Sequence, residues 1–256
     1  MKKVVFTGVN GQVAYAMQKE LTGKYDTSGI SIKRMDEILQ NGAPSTWKEQ
    51  MDAYRELLME QMTTAFRGAT AVVHLGWNTR DDNCGQGMDP LNLLAVDCCY
   101  QAAIAEDVAR IYMASSVHSY DFTHDLKDDV ESVKPFPDVR ENPFGVPPTS
   151  LYGVSKRWME ISGQFYAQKL SEAQKILVVR LGAVGREDHP HRAGSRLWNS
   201  HRDLAGLLEA FIECEDAPNF WVAFGVSDNY GEQTTRGYFD SVNPYGYVSQ
   251  DNSYDH

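Results

Sequence analysis

The stretch KVVFTGVNGQVAYAMQKEL, Lys3 to Leu21, decides how the rest of the chain is read. Residues 3–7 form a short, β-branched, apolar run that reads as a buried strand. A glycine turn follows. Val13, Ala16, Met17 and Leu21 then recur at helical spacing, and Gly23 supplies a stop. The segment DTSGISIKR (26–34) is a weaker strand candidate, so the opening reads as one βαβ unit.

The turn TGVNGQVA sets Gly8, Gly11 and Ala14 between strand and helix. One small residue permits the tight turn, the next lets backbone N–H groups approach a pyrophosphate, and the third lets the helix pack close to the sheet. Phosphates then sit at the positive end of the helix. Gly8, Asn10, Gly11, Gln12 and Val13 are therefore the candidate cofactor-facing residues of this turn. The spacing also suits a tight turn in any α/β protein, and the strand–turn–helix context favours the dinucleotide reading.

An acidic residue after the second strand holds the ribose hydroxyls of NAD. Here that slot is Ser31, followed by Lys33 and Arg34, which suit a 2′-phosphate. The chain leans toward NADP, with NAD retained if Asp36 or a shifted register serves the ribose.

Further along, residues 45–66 read as a helix with Trp47, Met51, Tyr54, Leu58 and Met62 on one side; a strand over 51–55 is the alternative. ATAVVHLGW (69–77) and ARIYMASS (109–116) are buried strands separated by an amphipathic helix over 92–105. A polar, proline-containing loop fills 117–149, a length that usually marks function. A helix over 151–170, a strand over 175–182, a helix over 202–213 and a strand over 220–226 complete the pattern. The Tyr- and Gly-rich tail after Ser227 is expected as loops near a substrate pocket. Strands alternating with helices predict an α/β fold, a doubly wound parallel sheet with helices on both faces.

The chain has 256 residues and a net charge of −11. Such acidity argues against nucleic acid as a partner. After Met1-Lys2-Lys3 the apolar run is only Val4-Val5-Phe6, too short for a secretory segment, and no stretch reaches the ~20 apolar residues of a membrane span. Cys84, Cys98, Cys99 and Cys214 form no CxxC pair, which predicts reduced thiols. A cytoplasmic protein without membrane partners is expected. His189-x-His191 has no adjacent third ligand, and no metal is expected.

Tyr152 and Lys156 in SLYGVSKRWME (150–160) are i and i+4 and share a helix face. A free phenol has a pKa of about 10 and is a poor base; a nearby ammonium pulls that value down. Ser116, ending the strand MASS, can hydrogen-bond a substrate oxygen while Tyr152 takes its proton. A dinucleotide turn, a strand ending in Ser116 and the Tyr152–Lys156 pair occur in the order that a nicotinamide-dependent oxidoreductase needs.

Together TGVNGQVA, VVHLG, LNLLAVDCCYQAA, MASSVHSY, LYGVSK and VVRLG resemble the extended short-chain dehydrogenases/reductases of the epimerase/dehydratase superfamily, nearest to uronate dehydrogenase and haloarchaeal sugar dehydrogenases. The resemblance runs along nearly the whole chain. It implies a Rossmann-like domain over 1–182 and a small, interleaved C-terminal substrate-binding region over 183–256. It implies Ser116, Tyr152 and Lys156 as the catalytic set, and Leu75, Gly76, Trp77 and Asn92 near the cofactor. It sets Thr79, Val117, His118, Ala183 and Arg192 toward the substrate. Val117 stands where the family has an asparagine, Thr79 where it has a serine, and Ala183 where it has a polar contact. Arg192 neighbours the aligned position of a carboxylate-binding arginine, so an anionic sugar is one expected substrate class.

The reading is thus an NAD(P)-dependent dehydrogenase acting on a small sugar or sugar acid, with a homodimer or higher homo-oligomer suggested by relatives. A nucleotide-sugar epimerase or dehydratase is the enzymatic alternative, and a non-catalytic NAD(P) sensor the other.

Overall fold

The computed structural model describes residues 1–35, 46–78, 89–120, 147–231 and 243–256. Six parallel strands form one sheet in the order β2-β1-β3-β4-β5-β6. They are β1 (Lys3–Thr7), β2 (Asp26–Ile30), β3 (Ala71–His74), β4 (Arg110–Ser116), β5 (Lys175–Leu181) and β6 (Phe220–Gly225). The helices are α1 (Gln12–Leu21), α2 (Trp47–Phe66), α3 (Pro90–Ala105), α4 (Leu151–Tyr166) and α5 (His201–Glu213). This is the doubly wound α/β architecture expected from the alternation. Strand order reverses between β1 and β3, and in such sheets the crevice beyond that point takes ligands.

The strands are apolar almost throughout because both faces are covered. Their side chains alternate between two cores. Val4, Phe6, Val73, Tyr112, Leu177 and Val179 pack against α1 and α5. Val5, Val72, Ile111, Met113, Ile176 and Val178 pack against α2, α3 and α4. Because β6 joins the sheet and α5 joins the first core, residues beyond Gly182 are built into the same body.

Residues 51–55 are helical, as first read, and the alternative of a strand there drops out: Thr46 and Glu49 form a reciprocal capping box that starts α2. The helix read as amphipathic, α3, buries Val96, Cys98, Cys99, Tyr100 and Ala103 and leaves Asp97 and Gln101 partly buried along one side. That polar side serves the neighbouring helices: the Asp97 carboxylate accepts from Arg55 Nη1 of α2 at 2.7 Å, and Gln101 Nε2 donates to the Tyr166 hydroxyl of α4 at 3.0 Å. The start of α3 is set by Asp89, whose carboxylate accepts from the Leu91 N–H, and by Pro90 in the first turn.

The described part of the tail is fastened to the first turn of α5. The buried Asp203 carboxylate accepts from the Tyr247 hydroxyl at 2.6 Å and from the N–H groups of Gln250 and Asp251. Ser200 Oγ in turn donates to Asp251 at 2.6 Å. Among the described residues no helix is long and apolar enough to cross a membrane.

Candidate active site

The glycine turn brings β1 and β3 into backbone contact. Gly8 has φ +69°, a left-handed conformation that costs a side-chain-bearing residue energy. A Cβ there would also stand 2.8 Å from Gly76 Cα. Gly11 then caps α1 without a side-chain hydrogen bond, and the first turn holds no acidic residue. The first N–H groups of α1 are therefore left to an anion.

Two cavities open here and share Gly8 and Trp77. The smaller, about 300 Å³, is lined by Ser31, Lys33, Arg34, Gly76 and Asn92, with Tyr54, Asn78 and Asp89 that the sequence reading did not single out. Helix α2 holds its rim by backbone contacts. The Tyr54 hydroxyl donates to the Lys33 carbonyl at 2.8 Å, Gln61 Nε2 donates to the Ser31 carbonyl at 2.7 Å, and the Lys33 N–H donates to Gln61 Oε1 at 3.1 Å. β2 ends at Ile30, and among the described residues that follow it directly, 31–35, none carries a carboxylate. Asn92 does more than start a helix: its side chain accepts from the Asn78 N–H at 2.8 Å and donates to the Asn78 carbonyl at 3.0 Å.

The larger cavity, about 480 Å³, gathers Gly11, Gln12, Val13, Leu75, Ser116, Tyr152, Lys156 and Gly182. Ser116 is buried at the end of β4 and Tyr152 lies in the first turn of α4. They can approach because Gly153 has no side chain: a Cβ there would fall 1.9 Å from the His118 carbonyl oxygen. Lys156 is buried; Nζ donates to the Ala114 carbonyl at 2.7 Å and stands 3.7 Å from the Trp77 ring centroid. The His118 ring meets Tyr152 edge-on at 5.8 Å, and Nδ1 pairs with Thr149 Oγ1 at 2.8 Å. Burial lowers the His118 pKa, and His118 is not among the residues lining either cavity.

The other expected residues lie apart. Val117 is buried in a cluster with Tyr120, Phe224 and Val226 rather than in the cavity wall. Ala183 is exposed beside the lining residue Gly182. Arg192 and Asn10 are exposed outside both linings. Thr79 and Asp36 fall outside the described residues.

Beneath the cavity is a charge cluster that no local sequence pattern marks. Glu160, one turn beyond Lys156 on α4, is buried. Its carboxylate accepts from Arg180 Nε at 2.9 Å and Nη2 at 2.8 Å, from Ser115 Oγ at 2.8 Å and from Ser119 Oγ at 2.5 Å. Burial pushes its pKa up, but Arg180, Ser119 and Arg157 outweigh that and hold it below the usual carboxylate value. On the other side, Thr7 Oγ1 accepts from the N–H groups of Leu75 and Gly76. Its own proton then goes to His74 Nδ1, 2.9 Å away, leaving the ring proton on Nε2. Burial, with the Lys156 charge adding to it, lowers the His74 pKa to about 3.

No family profile matches the chain. Two proteins of Haloferax volcanii do, each along nearly its full length. An NAD-dependent glucose-6-phosphate dehydrogenase is 26% identical over 98% of this chain and 94% of its own. An L-arabinose 1-dehydrogenase (NAD(P)(+)) is 26% identical over 99% and 98%. The chain is homologous to sugar dehydrogenases. Its fold is that of uronate dehydrogenase from Agrobacterium tumefaciens, with a TM-score of 0.70 at 22% identity over 99% of this chain and 86% of that one. UDP-N-acetylglucosamine 4-epimerase from Bacillus cereus shares the fold more distantly, with a TM-score of 0.62 at 15% identity.

Glu160→Ala leaves Arg180 charged and buried without its carboxylate. It should lower the unfolding free energy by about 3–5 kcal/mol in urea titrations, while joint replacement of both residues by Gln and Met should cost much less. The His74 pKa is lower folded than unfolded, so between about pH 6.5 and 3 the unfolded chain binds the extra proton and stability falls as pH falls. From this group the loss between pH 6.5 and 5 is on the order of 1.5 kcal/mol, and His74→Asn should flatten the acid limb of a melting-temperature profile by that amount.

Proposed function

We propose that this protein is an NAD(P)-dependent dehydrogenase that oxidises a hydroxyl-bearing carbon of a small sugar or sugar acid. The observation that carries the reading is the convergence of Ser116, Tyr152 and Lys156 on one cavity whose opposite wall is the glycine turn. Two full-length relatives that are sugar dehydrogenases support it.

The residues present fit a nicotinamide dinucleotide. The uncapped start of α1 and the close approach of Gly8 to Gly76 leave room and N–H donors for a pyrophosphate. Gly11, Gln12 and Val13 would flank it, Ser31, Lys33 and Arg34 would meet the adenine ribose, and Leu75, Gly76, Trp77 and Asn92 would line the stretch between. When bound, the nicotinamide ring supplies the hydride acceptor for the oxidation.

Ser116 Oγ donates a hydrogen bond to the substrate oxygen and fixes it. Tyr152, as phenolate, takes the hydroxyl proton. The Lys156 ammonium favours that phenolate by charge. Loss of a hydride and a proton turns the carbinol into a carbonyl, which at an anomeric carbon is a lactone. His118 contacts the sugar beside Tyr152. An arginine of the 186–196 segment, Arg192 in this reading, meets an acidic substituent. Residues 1–182 carry the cofactor and the reacting groups, and 183–256 shape the substrate side.

The test mixes the protein with NAD⁺ and NADP⁺ separately. Each is offered glucuronate, galacturonate, glucose 6-phosphate, L-arabinose and neutral aldoses while nicotinamide reduction is followed by absorbance. Turnover on at least one sugar is expected, and Tyr152→Phe should lower it at least ~100-fold. Cofactor binding with no turnover on any sugar would sink the sugar-oxidation reading. Lys33 and Arg34, just after β2, favour NADP. Exchanging both for Ala should weaken NADP⁺ binding roughly 10- to 100-fold by fluorescence titration and change NAD⁺ binding little.

A further inference from the structure

Burying a lysine ammonium needs an explanation, because desolvation alone drives it toward the neutral amine. Lys156 is 4% exposed. Two of its contacts are the Ala114 carbonyl at 2.7 Å and, across the ammonium, the face of the Trp77 indole at 3.7 Å from the ring centroid. A desolvated ammonium over an indole face is the strongest of the side-chain cation–π pairings.

The indole is held still for this. Gly76, before it, donates its N–H to Thr7 Oγ1 at 3.1 Å. Asn78, after it, is gripped at both N–H and carbonyl by the Asn92 side chain. The ring edge packs on Tyr152 at 6.2 Å and 87°, and the Tyr152 ring centroid is itself 5.7 Å from the same ammonium. The Trp77 Nε1–H is buried with no hydrogen-bond acceptor. What this residue contributes is therefore the ring face and not its N–H donor.

We propose that Trp77 is a positioning residue for the reaction: its indole face fixes the Lys156 ammonium beside Tyr152 and so sets the pH at which the Tyr152 phenol ionises. The inference rests on Tyr152 acting as the base. It assigns to Trp77 a role separate from lining the cofactor cleft. A merely space-filling residue could be exchanged for an aliphatic one of similar burial without moving any ionisation. An electrostatic partner could not.

The test is a graded series, Trp77→Phe and Trp77→Leu, with folding checked by circular dichroism and cooperative melting. Phenolate absorbance is titrated in the protein without sugar, and Tyr152→Phe in each background isolates the Tyr152 signal. This readout does not depend on knowing the substrate, so a failure of the sugar-oxidation reading leaves it intact. Trp77→Leu should raise the Tyr152 pKa by about one unit, and Trp77→Phe, with its weaker ring quadrupole, by clearly less. With a turned-over sugar, the acid limb of the kcat profile should move up by the same amounts. An unmoved Tyr152 titration in a folded Trp77→Leu protein would overturn the proposal, as would equal shifts for Phe and Leu.

Discussion

One buried ion pair holds the candidate site in shape. Glu160 belongs to the helix that carries Tyr152 and Lys156, Arg180 to β5, Ser115 to β4, and Ser119 to the turn that carries His118. A single carboxylate therefore joins every element that carries a candidate reacting group. Two charges taken out of water gain little net stability over a well-packed apolar pair. Their value lies in geometry: the bidentate fork admits one orientation of α4 against the sheet.

The other constraint is a missing Cβ. Gly8 against Gly76, and Gly153 against the His118 carbonyl, let main chain approach main chain more closely than any side chain would allow. The first contact shapes the crevice where strand order reverses. The second sets the depth to which α4 sinks toward β4. Polar side chains then lock the loops so formed, Thr7 for the one after β3 and Asn92 for its continuation.

Much of this was legible in the sequence because its signals are local. The apolar runs, the glycine turn, and the Tyr–Lys spacing each lie within a few residues, and the structure has them on strand, turn and helix as expected. The polar side of α3 was legible as a stripe, but its partners were not: Asp97 and Gln101 meet Arg55 and Tyr166, which belong to the helices on either side. Glu160 was invisible for another reason. Its spacing from Lys156 is an ordinary helical repeat, and its meaning appears only with Arg180, 20 residues away on a strand that otherwise reads as apolar. Tyr54, Gln61 and Asp89 are likewise significant only through what the fold brings to them. The comparisons add two full-length relatives that are sugar dehydrogenases.

The way α2 grips the segment after β2 has a consequence for how this protein could be altered. Tyr54 and Gln61 bind the carbonyls and N–H of Ser31 and Lys33, not their side chains. These bonds do not depend on which side chains Ser31 and Lys33 bear, while Ile32 packs on the core beneath. Charge at the mouth of the smaller cavity can be rewritten, residue by residue, on a main-chain frame that stays where it is. The charge of that mouth is a detachable trait, open to drift or to engineering without rebuilding the fold beneath it.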